Sequence, residues 1–281
     1  MFNLILATIC FSLSFGLIKS QLVNLPSEFV VFSRLFLASI LFLPFLKSAN
    51  VKKHLIAFFV GIIQFGLMYL CFIKAFKYLQ GNEVALLTTT TPIFVAIWST
   101  LFGARFKFIY IVCILLSVLG AGIIVWQNLS FNEICRGVIL MEMSNCAFAL
   151  GQVLWKKFIN DTTAKYMSSA YIGASLFVLP LILTNHSFNI ISTISLPQIL
   201  SILYLALIPT GIGFWLWNKG SVSVKYSTLA IMNNLKIPFA VLFSILLFRE
   251  KINLFNFVIG TSIIIIATII LHCSIKNENK N

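Results

Sequence analysis

From Asn3 to Cys273 the chain is a succession of apolar runs, separated by gaps too short to hold a soluble fold. A helix needs about 20 mainly apolar residues to cross a ~30 Å hydrocarbon layer, and lipid leaves no other way to satisfy a spanning backbone except a closed barrel. Ten such runs can be counted: 3–20, 27–46, 54–76, 83–102, 108–126, 136–155, 166–184, 197–219, 226–248 and 253–273. They predict an all-α integral membrane protein of ten transmembrane helices. Only 10% of residues are charged, against about 25% in ordinary globular chains. No stretch remains for a nucleotide-binding domain.

The net charge of +13 does not point to nucleic acid, because the Lys and Arg residues collect in the short gaps, where they set topology. With the N-terminus inside, the inner gaps hold twelve of them and the outer gaps six, namely Lys19, Lys74, Lys77, Arg136, Arg249 and Lys251. Both termini are then cytoplasmic, and a bacterial inner membrane is the expected location. Lys19, Lys74 and Lys77 run against the rule locally. Glu28, Glu83 and Glu133 fall near outer helix ends and read as solvated charges. The six Cys form no C-x-x-C and sit mostly in apolar runs, so they read as packing residues, with no metal and no cofactor implied. The first run lacks a basic leader and reads as a retained span.

The second half echoes the first. F-G-L-M-Y-L-C-F-I-K-A (65–75) aligns with T-G-I-G-F-W-L-W-N-K-G (210–220), placing Gly66 on Gly211 and Lys74 on Lys219. In the fourth and ninth runs Pro92 falls on Pro238 and Val95 on Val241, and in the first and sixth Gly16 falls on Gly151. The expected units are 1–127 and 128–281, with five spans each. An odd number reverses the second copy, giving inverted repeats, and carriers built that way bind at the midplane between the copies.

The ninth run concentrates polar chemistry at that depth. Lys236 is the one charge between Ser227 and Phe248. A cation there costs ~2.5–3.5 kcal/mol, so it should face water, a partner or a substrate. Pro238 has no N–H and should free the carbonyl of Asn234. Pro92 should do the same for Thr88, within the run Thr88 to Thr91. Asn233 and Asn234 add amides. On the eighth run Tyr204, Ile208, Gly211, Trp215 and Asn218 share a helical face; on the third, Gln64, Met68 and Cys71 do. Either stripe could be packing or cavity wall. Glu142, the one carboxylate well inside a run, is expected to pair with Lys236 or Arg34, as a coupling residue or as a structural counter-ion.

Q-F-G-L-M-Y-L-C-F-I-K-A-F-K-Y-L followed by A-L-L-T-T-T-T-P-I-F-V-A resembles the EamA domain of the drug/metabolite transporter superfamily. W-L-W-N-K-G-S-V with N-N-L-K-I-P-F-A-V-L-F-S-I-L-L-F-R-E-K resembles a second copy, and Arg34 matches an arginine usual in the family's second helix. The sequence departs at Ser14-Phe15-Gly16, where Trp-Gly is common, and at Gly103-Ala104-Arg105, where an acidic residue is usual. The resemblance implies ten helices, cytoplasmic termini and export of small metabolites such as amino acids.

Together these readings predict a secondary active transporter, working by alternating access, for an amino acid or related carboxylate or amine. An importer or exchanger of another metabolite or a nucleotide-derived compound is the alternative. A channel or an intramembrane enzyme fits poorly: there is no H-E-x-x-H, no phosphate loop and no acidic metal pair. The expected partners are a small-molecule substrate and the lipid bilayer, without nucleic acid; a homodimer is compatible with them. Candidate substrate contacts are Lys236, Asn234, Asn233, Trp215, Asn218, Tyr204, Gln64, Thr88 and Thr91, with Glu142 and Arg34 as coupling or counter-ion residues.

Overall fold

The apolar runs become helices in the computed structural model, which describes residues 1–46, 50–79, 84, 87–125, 134–248 and 253–278. Glu83, Glu133 and the Arg249-Glu250-Lys251 triplet lie outside the described residues. Seven helices are long and apolar enough to cross a membrane: α1 (Phe2–Leu22), α2 (Ser27–Phe45), α3 (Val51–Ala75), α6 (Cys135–Ile159), α7 (Met167–Thr184), α8 (Leu196–Val222) and α10 (Leu254–Glu278). The other three expected spans are helical but shorter: α4 (Thr91–Leu101), α5 (Phe108–Val125, with the apolar stretch Phe108–Gly120) and α9, divided into Tyr226–Met232 and Lys236–Phe248. Helices α4 and α9 are cut short by turns beside Pro92 and Pro238. Among the described residues, then, seven of the ten expected spans are long and apolar enough to cross a membrane.

The repeat seen in the sequence is written into the packing. Exchanging α1 with α6, α2 with α7, and so on to α5 with α10, turns the most extensive contacts into themselves or into other observed ones. Helix α2 packs on α7, α4 on α9, and α5 on α10. Helix α3 packs on α7 as α8 packs on α2; α3 meets α6 as α8 meets α1; α4 meets α6 as α9 meets α1. The irregularities obey the same exchange. Wide π turns occur at Ile18–Leu22 and Trp155–Ile159, and again at Ile62–Leu67 and Ala206–Gly213.

Two glycines set the closest approach of backbones. A Cβ on Gly61 would lie 2.0 Å from the Ala170 carbonyl oxygen, and one on Gly173 would lie 2.3 Å from that of Phe58. Helices α3 and α7 therefore touch main chain to main chain.

Some lysines close helix ends. Lys19 donates to the carbonyls of Phe76 (3.5 Å) and Leu79 (3.2 Å) at the end of α3. Lys156 does the same for Ser221 (2.9 Å) and Val222 (3.0 Å) at the end of α8. A cation at the negative end of a helix dipole is favourable, which gives Lys19 a local reason to run against the topology rule. Glu28 is not a solvated charge: it is buried and accepts from Asn185 Nδ2 (2.9 Å) and Ser187 Oγ (2.8 Å). It thereby ties the start of α2 to the connection before α8. Between α4 and α5, Gly103 has φ +93, a left-handed conformation that suits glycine.

Candidate functional site

The break in α9 starts from a missing donor. Pro238 cannot bond to the carbonyl of Asn234, the helix stops at Met232, and residues 233–235 form a turn. The Asn234 carbonyl is not left free, as the sequence suggested. It accepts the N–H of Ile237 at 3.0 Å, because the chain tightens by one residue. The side chains of the turn reach outward. Asn233 and Gln152 exchange amide bonds at 3.2 and 3.4 Å, and Trp217 Nε1 adds a third bond to Gln152 Oε1 at 3.1 Å. Asn234 Nδ2 donates to the Thr89 carbonyl (3.3 Å) and Ser117 Oγ (3.4 Å), tying the two breaks together, while its Oδ1 is buried without a partner.

The break before α4, at Thr89 and Thr90, closes on itself. Thr91 Oγ1 donates to the Thr88 carbonyl at 2.7 Å, and Thr90 Oγ1 lies 2.9 Å from the Leu87 carbonyl. Helix α6 grips this turn. Asn145 Nδ2 donates to the Leu87 carbonyl (2.8 Å) and to Thr90 Oγ1 (3.0 Å). Glu142 Oε2 lies 2.9 Å from Thr90 Oγ1, which can donate to it. Among the described residues Glu142 pairs with neither Lys236 nor Arg34. The expected ion pair is replaced by a carboxylate–hydroxyl contact, because α6 turns Glu142 toward α4.

The two intramembrane cations instead meet at one cavity. Arg34 is 1% exposed. Its Nε and Nη2 donate to Thr210 Oγ1 (3.2 and 3.0 Å), and Nη2 also to the Tyr69 hydroxyl (2.8 Å). All these partners are neutral, and Nη1 has none. Lys236 is 8% exposed, with Nζ 5.7 Å from the centre of the Phe148 ring. The cavity holds about 540 Å³ of empty space, its open mouth included. Arg34, Lys236, Tyr69, Thr88, Ser144, Asn145 and Ser14 give it polar groups; Phe11, Phe15, Met68, Phe72, Phe148 and Phe214 give it apolar walls. Phe214 is the hub of those walls, 4.7 Å from Phe11 and 5.6 Å from Phe148 between ring centres. Among the described residues no Asp or Glu lines it.

The remaining candidates stand behind or away from this wall. Gln64 Nε2 donates to Asn218 Oδ1 at 2.9 Å, a buried pair that braces α3 against α8. Trp215 is half-buried, with Lys219 Nζ 5.1 Å from its ring, and Tyr204 is half-buried too. Thr91, Asn233 and Asn234 serve the breaks. The α8 stripe does not hold as one face, because the π turn Ala206–Gly213 rotates all that follows it, so that Phe214 reaches the cavity. Sequence reasoning missed Tyr69, Ser144, Phe148 and Phe214. A signal existed for α6, where Asn145, Phe148 and Gln152 recur at helical spacing on one side.

A model of the EamA-like transporter family matches residues 1–126 and again 136–273. The chain is 32% identical over 270 residues to a probable biotin transporter of Pseudomonas aeruginosa, covering 93% of this chain and 94% of that protein. It is 30% identical over 277 residues to the biotin transporter of Escherichia coli, covering 96% and 91%. Similarity to a probable amino-acid metabolite efflux pump of Escherichia coli is weaker, at 25% over 236 residues, covering 80% and 78%. A solved crystal structure superposes with a TM-score of 0.76 at 13% identity, covering 96% of this chain and 94% of that one, which shows the shared fold.

Proposed function

The chain belongs to the EamA-like transporter family, and from that premise we propose that it carries a small organic acid with an apolar body, biotin first among the candidates, across a bacterial inner membrane by alternating access. The observation that carries this reading is the charge of the cavity: two cations, Arg34 and Lys236, and no lining carboxylate among the described residues. A desolvated cation left unpaired is costly. A carboxylate entering the cavity removes that cost, and an Arg–carboxylate bond is among the stronger hydrogen bonds available.

Of the amino acid, carboxylate or amine expected from sequence, the same charge favours the carboxylate. An amino acid or amine would bring an ammonium into a chamber with no carboxylate among its described lining residues to receive it. A monocarboxylate with a hydrophobic body meets Arg34 and Lys236 at one end and the Phe11, Phe148 and Phe214 walls at the other. Similarity to biotin transporters over more than nine-tenths of their length supports the same choice. Glu142, bonded to Thr90, holds the α4 break in this reading.

Cells without biotin uptake of their own, expressing this chain, supply the test. Labelled biotin should enter or leave saturably, competed by other apolar carboxylates and not by lysine or simple amines. Transport of amino acids without any transport of biotin would overturn the assignment.

A further inference from the structure

We infer that the acid group of the cargo seats on Arg34 Nη1, with Lys236 of the same chamber completing the seat, and that the carrier therefore closes more readily loaded than empty. This rests on the reading of the cavity as an acid site. Arg34 was expected from sequence to be a counter-ion, yet no anion lies against it among the described residues. Its neutral partners Thr210 and Tyr69 fix the guanidinium through Nε and Nη2, which leaves the N–H groups of Nη1 buried and unused. An unpartnered donor on a charged group that is 1% exposed is a costly arrangement, and a carboxylate oxygen would answer it.

The two cations come from different repeats, Arg34 from α2 and Lys236 from α9. Alternating access moves the repeats' helices against one another and shuts water out of the chamber. Shutting it empty strands two like charges in a low dielectric with no counter-charge. Shutting it around an anion does not. Binding at this seat thus lowers the barrier to closure, and not merely the concentration needed to fill the site.

The experiment uses the purified full chain in liposomes and two rates for labelled biotin: exit into biotin-free buffer, and exit into buffer holding unlabelled biotin. Exchange should exceed net exit by about tenfold, the effect of roughly 1.4 kcal/mol on a barrier. Biotinamide, which keeps the body and loses the anion, should not accelerate exit. Arg34→Gln should weaken biotin binding and bring the two rates together; Arg34→Lys, which keeps the charge, should keep most of their separation. The wild-type comparison stands even where a variant fails to fold. Equal rates for the wild-type chain, or acceleration by biotinamide equal to that by biotin, would overturn the inference while leaving biotin transport intact. Absence of any biotin flux would overturn the proposed function and this inference with it.

Discussion

The two helix breaks share a proline position and a backbone turn, and differ in almost everything else. Before α4 the turn is made of threonines, whose hydroxyls lie against carbonyls of their own segment and which are held from outside by Asn145 and Glu142 of α6. Within α9 it is made of asparagines, whose amides reach to Gln152 on α6, Ser117 on α5 and Thr89 in the other break. With the prolines aligned, the residue equivalent to Lys236 is Thr90. The fold thus needs a break at both places, but it places a cation at only one. The symmetric part is architecture, and the departure from symmetry is where the proposed substrate site lies.

The most damaging challenge to this contrast is a pair of substitutions at the equivalent positions. Lys236→Met should cut transport of the acid by about 100-fold or more, comparable to the loss of one buried charge-assisted bond, with membrane abundance near normal. Thr90→Val should change it only about fivefold, since losing one hydroxyl hydrogen bond costs ~1 kcal/mol. Initial rates normalised to surface protein decide the matter, and equal losses would remove the claimed asymmetry.

A middle-sized effect is expected where the amides cross between helices. Gln152→Leu strips partners from both Asn233 and Trp217, so the thermal stability of the purified chain should fall by about 1–3 kcal/mol. Adding Asn233→Leu should return part of it, and a second substitution that only deepens the loss would show that the pair is not what holds the α9 break.

The smallest effect belongs to the threonine turn. Thr91→Val removes a hydroxyl that mostly re-bonds its own segment, at 2.7 Å to Thr88. Stability should change by less than about 1 kcal/mol. A loss as large as that of Gln152→Leu, in the same melting assay, would erase the distinction between hydroxyls that re-bond their own segment and amides that cross between helices.

Much of this arrangement can be read along the chain because apolar length and buried charge are local properties. The order of helices, the coincidence of Pro92 with Pro238, and the depth of Arg34 and Lys236 follow from spacing alone. The partner of Glu142 does not. Sequence offers one carboxylate and two cations, and only packing decides that α6 turns Glu142 toward Thr90. The π turns were equally hidden, since an i→i+5 bond costs a helix little and leaves no mark in composition. One such turn, Ala206–Gly213, is enough to bring Phe214 to the cavity while Trp215 and Asn218 lie elsewhere. The Asn234 carbonyl was misjudged for a related reason: a missing donor at Pro238 invites the backbone to tighten before it invites a ligand.

The close approach at Gly61 and Gly173 bears on how the two halves of the chain are joined. Helix α3 belongs to the first repeat and α7 to the second, yet their main chains meet with no side chain between them at these two points. Helices α5 and α10, also one from each repeat, form a second mixed pair. The tightest packing therefore runs across the internal duplication and not along it, so that each half of the sequence completes its fold against the other.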